Sequence, residues 1–169
     1  MTDKQHLQNH QVKIFCTGGT IDKIYYDALS EYQIGDPVTT GILREALVKF
    51  PYEIESIIKK DSLEITDEDR EKIFKHVSQE SCPHILITHG TDTMIDTAKR
   101  LAELKDKTIV LTGAMQPARF RKTDAIFNMG YAIAAAQHLP HGVYLAMNGQ
   151  IFTPDAVQKN RAAAQFEAT

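Results

Sequence analysis

The apolar residues of this chain fall into short runs that alternate with segments of helical period. Five runs are short, mostly apolar and typical of buried strands, and they cover residues 12–16, 53–58, 84–88, 108–111 and 143–147. A shorter run at residues 151–152 is expected to begin a sixth strand. Such runs, separated by helical segments, predict strands that are covered on both faces.

The segments between the strands repeat apolar residues every three or four positions. Four helices are predicted, beginning near Thr39, Thr66, Thr93 and Asp124. The first is expected to bury Leu47 and to end at Pro51. Alternation of strand and helix predicts an α/β protein with a Rossmann-like, open, mainly parallel sheet and helices on both faces. We expect residues 1–169 to form a single domain.

Three segments follow neither pattern. Residues 1–11 are polar and are predicted to be a flexible leader. Residues 21–36 carry three tyrosines without a clean period and are predicted to form a long loop, a kind of segment that is often functional. Residues 155–169 are polar and rich in alanine, and are predicted to be a tail without regular structure.

Glycine and threonine stand together where three predicted strands end. These positions are TGGT at residues 17–20, THGTD at residues 88–92 and TG at residues 112–113. Parallel strands place their carboxyl ends on one edge of a sheet, where ligands bind in open α/β folds. We therefore expect the three loops to converge on one site.

The side chains of these loops suit acyl transfer from an amide or ester. The hydroxyls of Thr20 and Thr91 are candidate nucleophiles, which need a base or a polarising neighbour. Asp92 could orient an amine, and Lys159 could act as a base if burial lowers its pKa. Backbone N–H groups of the glycine-rich turns could stabilise an oxyanion.

Each of these residues also has a purely structural interpretation. Thr91 and Asp92 could cap the helix that begins there, and Lys159 could be a solvated surface lysine. His89 and Asp92 are only two metal ligands, so a hydrogen-bonded structural histidine is the simpler interpretation and no metal is expected. The turn at residues 17–20 lacks the features of a nucleotide-binding loop.

Composition narrows the function classes. The 169 residues are 43% hydrophobic and 24% charged with a net charge of -3, which favours neither nucleic acid nor an anionic membrane as a partner. The start has no apolar core of a secretion signal, and no run reaches the ~18 apolar residues of a membrane span. Cys16 and Cys82 flank apolar segments and are predicted to be buried free thiols, which favours the cytoplasm.

Three motifs together resemble the signatures of the bacterial-type L-asparaginase/glutaminase family. They are TGGTI at residues 17–21, HGTDTM at residues 89–94 and TGAMQP at residues 112–117. The segment SLEITDED at residues 62–69 is similar to the one that carries the family's substrate-binding serine. The resemblance spans about residues 12–166 and covers only the family's N-terminal domain, so we expect the smaller C-terminal domain to be absent.

The resemblance implies hydrolysis of L-asparagine to aspartate and ammonia through a covalent acyl-enzyme. Thr20 matches the nucleophile, and Tyr32 matches the loop tyrosine that assists it. Thr91, Asp92 and Lys159 match the second catalytic triad. The residues implied to surround the substrate are Gly19, Ser62, Gly90, Thr91, Asp92 and Ala114.

The resemblance assigns finer roles to two of these residues. Ser62 matches the residue that holds the α-carboxylate of the substrate, and Asp92 the one that holds its α-ammonium. No organic cofactor or metal is implied, and a homodimer or higher homo-oligomer is expected. Asp22 departs from the pattern, since small residues are usual just after the nucleophile. An alternative function is a non-catalytic amino-acid-binding or sensing domain that keeps the same pocket.

Overall fold

The computed structural model of this protein describes residues 10–169. In chain order its strands and helices are β1 (Val12–Gly18), β2 (Lys23–Tyr26), β3 (Glu31–Ile34), α1 (Thr39–Glu45), β4 (Tyr52–Lys60), α2 (Asp67–Gln79), β5 (His84–Thr88), α3 (Met94–Leu101), β6 (Thr108–Thr112), α4 (Ala125–His138), β7 (Gly142–Met147), β8 (Gln150–Phe152), β9 (Val157–Asn160) and β10 (Gln165–Ala168). Short 3-10 turns follow β1, β2 and β4.

Six of the strands form one sheet in the order β4-β1-β5-β6-β7-β8. The first five strands in that order are parallel, and β8 runs antiparallel to β7. The predicted α/β fold with a mainly parallel sheet is confirmed. Because the chain leaves β1 for β4 on one side and later places β5 on the other, the strand order reverses between β1 and β5. Ligands bind at the carboxyl ends of the strands at such a reversal.

Each face of the sheet has its own core. On β5, Ile85 and Ile87 point to one face, where they pack with the buried residues of α2 and α3. Leu86 points to the opposite face and packs with the buried residues of α1 and α4. Successive strand residues alternate between faces, so continuous apolar runs arise where both faces are covered. The prediction of helices on both faces is confirmed.

Two segments predicted to lack regular structure form antiparallel hairpins. The predicted loop at residues 21–36 contains the hairpin β2–β3, and the predicted tail contains the hairpin β9–β10. Both predictions of irregular structure were wrong. The first hairpin is exposed over most of its length, so burial leaves no alternating pattern in its sequence.

The first helix is shorter than predicted. It ends at Glu45, and Leu47 takes a positive φ of 53° that turns the chain out of the helix. The side chain expected to be buried there is instead exposed, since Leu47 has 72% of its surface accessible. The apolar side chain of Leu47 fits the helical spacing and therefore predicted a longer helix, but the backbone leaves the helix before this residue.

The two cysteines are buried free thiols, as predicted. Burial raises the pKa of the Cys16 thiol, whose Sγ lies 3.5 Å from Thr39 Oγ1. Most of the predicted leader, residues 1–9, lies outside the described residues. No helix within residues 10–169 is long and apolar enough to cross a membrane.

Candidate functional site

The turn that follows β1 is built on two glycines in a left-handed conformation. Gly18 and Gly19 have φ values of 98° and 88°, which residues with a side chain rarely adopt. A Cβ on Gly19 would overlap the backbone of Gly90, and Gly19 N donates to Lys60 O at 3.0 Å. The turn is therefore pressed directly against the loop that follows β5, and it presents the half-buried Thr20 at this edge of the sheet.

Ser62 connects the loop that follows β5 to the end of β4. It is 2% exposed and lies so close to Gly90 that a Cβ there would overlap its side chain. Ser62 Oγ accepts a hydrogen bond of 3.2 Å from Asp92 N, and Ser62 O accepts one of 2.7 Å from Thr93 Oγ1. The loops after β4 and β5 are thus tied together by a polar residue with little freedom to move.

Lys159 reaches the same loop from the far end of the chain. Its Nζ donates to Thr91 Oγ1 at 2.8 Å and to Asp92 Oδ1 at 2.7 Å. The β9–β10 hairpin sets its position, because Lys159 stands opposite Phe166, a core residue that is 2% exposed. Directly opposed residues of an antiparallel pair share a face, so packing of Phe166 into the core directs Lys159 inward.

These contacts decide between the alternatives left open by the sequence. Lys159 is not a solvated surface residue, since only 14% of its side chain is exposed. The N-cap of α3 is Thr93, and no side chain caps that helix end. The interpretation of Thr91 and Asp92 as capping residues was therefore wrong, and both face Lys159 instead.

His89 is a structural residue, as predicted. It is fully buried, with Nδ1 2.8 Å from Gly90 O and Nε2 2.8 Å from Thr97 Oγ1. Burial lowers the pKa of His89 to about 4, because the charged imidazolium cannot be solvated there. A neutral imidazole that fills both of its hydrogen-bonding positions holds the Gly90 loop on α3.

The loop after β6 closes another side of the site. Ala114 is 1% exposed, and Ala118 N donates to Ile21 O at 3.1 Å, which links this loop to the turn that carries Thr20. Asp124 fixes the loop by accepting hydrogen bonds of 3.0 Å from Met115 N and Gln116 N. All three glycine- and threonine-containing strand ends therefore lie at one edge, as expected.

Tyr32 lies outside the network that joins Ser62, Thr91, Asp92 and Lys159. It stands on β3, is 51% exposed, and packs its ring against those of Tyr25 and Phe120 at centroid distances of 5.4 and 5.9 Å. It also lines a cavity of about 340 Å³ with six other residues, among them Lys23 and Asp61. The Lys23 ammonium lies 2.8 Å from the Asp61 carboxylate and closes one wall of that cavity.

Asp22 is a buried residue at the point where the β2–β3 hairpin begins. It is 1% exposed, Oδ1 accepts from Val38 N at 2.9 Å, and its carbonyl accepts from Gly35 N at 2.8 Å. Within the described residues its Oδ2 has no hydrogen-bond partner. Burial raises the pKa of Asp22 to about 6, against the lowering effect of the Val38 N–H. Asp22 thus ties both ends of the hairpin to α1.

Arg161 belongs to the site and escapes detection from sequence. Its Nε lies 3.4 Å from Asp92 Oδ1, and its side chain is 69% exposed. Its position depends on the turn between β9 and β10, within the segment predicted to be an irregular tail. The only available signal was its place two residues after Lys159, which means little unless the hairpin is recognised.

The arrangement combines the groups that amide hydrolysis requires. A threonine hydroxyl stands on the turn after β1, and a second threonine is hydrogen-bonded to a lysine beside a carboxylate after β5. Convergent backbone N–H groups and a hydroxyl next to a general base are a recurrent solution to acyl transfer. The turn that carries Thr20 and the loop that carries Thr91 touch through Gly19 and Gly90, at the reversal of strand order between β1 and β5.

Comparisons with known proteins agree with this architecture. The family model described as "Asparaginase, N-terminal" matches residues 11–168. A probable periplasmic L-asparaginase of Haemophilus influenzae is 30% identical over an alignment of 164 positions, which covers 90% of this chain and 47% of that protein.

Two solved structures share the fold of this chain. The thermostable L-asparaginase from Thermococcus kodakarensis superposes with a TM-score of 0.81 at 27% identity, covering 94% of this chain and 51% of that one. A probable cytoplasmic L-asparaginase from Campylobacter jejuni gives 0.80 at 28%, covering 94% and 53%. The chain spans about half the length of these relatives. It belongs to the asparaginase family and corresponds to that family's N-terminal domain.

Proposed function

We propose that this protein is an L-asparaginase-like amidohydrolase that releases ammonia from the side-chain amide of L-asparagine or a related small amide. The observation that carries this proposal is the double hydrogen bond of Lys159 Nζ, 2.8 Å to Thr91 Oγ1 and 2.7 Å to Asp92 Oδ1. That contact stands beside the Thr20 turn, at the strand reversal where α/β proteins bind ligands. Membership of the asparaginase family supports the same reaction class.

The proposed first step is acylation of Thr20. Thr20 Oγ1 forms an ester bond with the side-chain amide carbon while the C–N bond breaks. The hydroxyl proton passes to the leaving nitrogen, which departs as ammonia. Tyr32 is proposed to assist proton removal once the hairpin has moved toward Thr20.

The proposed second step is hydrolysis of that ester. Water attacks the ester carbon and gives a proton to Thr91 Oγ1, Thr91 passes its own hydroxyl proton to Lys159 in its neutral amine form, and Thr20 Oγ1 regains a proton as the acid is released. Asp92 holds Lys159 in place, since Lys159 Nζ lies 2.7 Å from Asp92 Oδ1. The reaction consumes one water per amide and restores the starting hydroxyl.

The proposed substrate contacts follow the same geometry. Ser62 is proposed to hold the α-carboxylate and Asp92 the α-ammonium, with Gly19, Gly90 and Ala114 lining the space between them. The backbone N–H groups of the glycine turns are proposed to stabilise the oxyanion of the tetrahedral intermediate, a contribution of about 3 kcal/mol for one such donor. A homodimer and a cytoplasmic location are proposed as well, although one relative is named periplasmic and another cytoplasmic.

The proposal is tested by ammonia release from L-asparagine, L-glutamine and small ω-amides. Wild type should release ammonia from at least one of them, and Thr20→Ala should abolish that release. Thr40→Ala is the matched control, since Thr40 is exposed on α1. Tight binding of asparagine without turnover, measured by calorimetry, would instead support the amino-acid-binding alternative.

A further inference from the structure

Two cations share one oxygen of the Asp92 carboxylate. Lys159 Nζ lies 2.7 Å and Arg161 Nε 3.4 Å from the same Oδ1. Lys159 alone is sufficient to neutralise Asp92, and its side chain is only 14% exposed. Arg161 therefore adds a second positive charge, on a side chain that is 69% exposed, at the open side of the site.

The neighbouring acid does not neutralise Arg161. Asp61 is influenced by Lys159, but its own partner is Lys23, with 2.8 Å between the ammonium and the carboxylate. Although burial opposes it, the hydrogen bond from Lys23 keeps the pKa of Asp61 low, so this pair remains charged on both sides. Among residues 10–169 the ion-pair partner of Arg161 is Asp92, and its exposed guanidinium can contact either Asp92 or a ligand.

The backbone of Arg161 is fixed although its side chain is exposed. Asn160 Oδ1 accepts from Ala163 N at 3.1 Å, and Arg161 O accepts from Ala164 N at 3.3 Å. The pairing of Asn160 with Gln165 in the β9–β10 hairpin also holds the backbone beside Arg161 in place. The guanidinium can therefore turn between Asp92 and a bound molecule without displacement of Lys159.

We infer that Arg161 is a specificity-determining residue, which favours carboxylate-bearing amides that lack an ammonium group beside Asp92. Relative to L-asparagine, the substrates that Arg161 favours are the monoamides of dicarboxylic acids without an α-amino group. An α-ammonium must compete with Arg161 for Asp92 and meets a like charge, whereas a carboxylate meets a planar donor fork. This inference rests on the proposed function, because it concerns the same pocket.

The test compares two ligands that differ only in the ammonium group. Dissociation constants of L-aspartate and succinate are measured by calorimetry for wild type, Arg161→Gln and Arg161→Lys. Arg161→Gln should lower the ratio of the dissociation constant of L-aspartate to that of succinate. The expected decrease is about two- to five-fold, because charge interactions at exposed positions are weak. Arg161→Lys, which keeps the charge, should retain most of the ratio, and the effect should shrink at about 1 M salt.

A second measurement uses the amides themselves. The ratio of kcat/KM for L-asparagine to that for succinamate should rise by the same factor in Arg161→Gln. Arg44→Gln is the matched control, because Arg44 is exposed in the last turn of α1. Both ratios should stay at the wild-type value in that variant.

The outcomes separate the two proposals. An unchanged ligand ratio in Arg161→Gln, together with ammonia release by wild type, would overturn the role of Arg161 and leave the amidohydrolase intact. The expected shift in the ratio of dissociation constants, without turnover of any amide, would support the specificity role of Arg161 and contradict the proposed amidohydrolase activity. Absence of both binding and turnover would overturn both.

Discussion

The candidate site has two halves that differ in how firmly the protein holds them. The paired half consists of Ser62, Thr91, Asp92 and Lys159, which are joined by hydrogen bonds of 2.7 to 3.2 Å. The hairpin half consists of Thr20, Tyr32 and the β2–β3 hairpin, in which Tyr32 is 51% exposed. The first half has its groups within bonding distance, whereas the second holds Tyr32 by aromatic contacts alone.

The difference has a physical origin. The paired half lies on loops that are anchored in the protein interior, since His89 and Phe166 are both buried. The hairpin half depends on a two-stranded ribbon with little buried surface, which is marginally stable by itself. We therefore expect substrate to reposition the hairpin and to leave the paired half where it is, as closing loops do in other enzymes.

Removal of Lys159 should give the largest effect. Lys159→Met deletes the group that contacts both Thr91 and Asp92, so kcat for amide hydrolysis should fall by about a thousand-fold. The fold should persist, because Phe166 and Val157 anchor the hairpin through the core. Ammonia release and circular dichroism measure the two consequences separately.

Lys99→Met is the matched control for that prediction. Lys99 is exposed on α3 and should be replaceable without loss of activity. A Lys159→Met variant with more than half of the wild-type kcat would show that the paired half is structural rather than catalytic.

The hairpin half should respond more weakly to substitution. Tyr32→Phe removes a hydroxyl that the hairpin must first carry to Thr20, so we expect kcat to fall by about ten- to a hundred-fold with unchanged stability. Tyr25→Phe, on the opposed strand, should have no effect on kcat. Equal losses in both variants would indicate that the ring contacts between them matter and the hydroxyl does not.

The sequence predicts the paired half better than the hairpin half. Strands β5 and β6 have apolar centres because both of their faces are covered, and parallel topology places their last residues, Thr88 and Thr112, at the same edge of the sheet. The β2–β3 and β9–β10 hairpins have few buried residues, so their sequences carry no period that reveals them. Arg161 therefore cannot be identified as a site residue from the sequence. Lys159 is a candidate base with a surface lysine as the alternative, and only the family resemblance favours the first.

The same limit explains the error in α1. Leu47 continues the helical pattern in sequence, but its positive φ ends the helix and exposes its side chain. Apolar residues at helical spacing show which side chains a helix would bury together. They do not show whether the neighbouring strands and helices leave room for the helix to continue.

The remaining predicted effect is on stability rather than on activity, and it concerns Asp22, where the β2–β3 hairpin begins. The pKa of Asp22 is raised from 3.8 to about 6, so the folded state favours the protonated carboxyl. Its stabilising contribution is complete below about pH 4 and is lost as pH rises through about 6. Asp22→Asn should therefore be more stable than wild type at pH 7.5, by about 2–3 kcal/mol, with little difference near pH 4.

Urea unfolding at several pH values measures this difference. Asp27→Asn is the control, because Asp27 is exposed within the hairpin. A gain in stability that is independent of pH would contradict the assignment to Asp22 ionisation. In wild type and in Asp22→Asn alike, His89 has the opposite effect on the pH dependence of stability. Its pKa of about 4 makes the folded state lose stability as pH falls below 6.5.

The proposed reaction depends on an ester between Thr20 and the acyl group of the substrate. Rapid acid quenching of wild type during L-asparagine turnover, followed by intact-mass and peptide analysis, would detect that ester. We expect a mass gain of one aspartyl group on the peptide that contains Thr20, absent in Thr20→Ala. Turnover with the acyl group on Thr91, or undiminished turnover by Thr20→Ala, would contradict it.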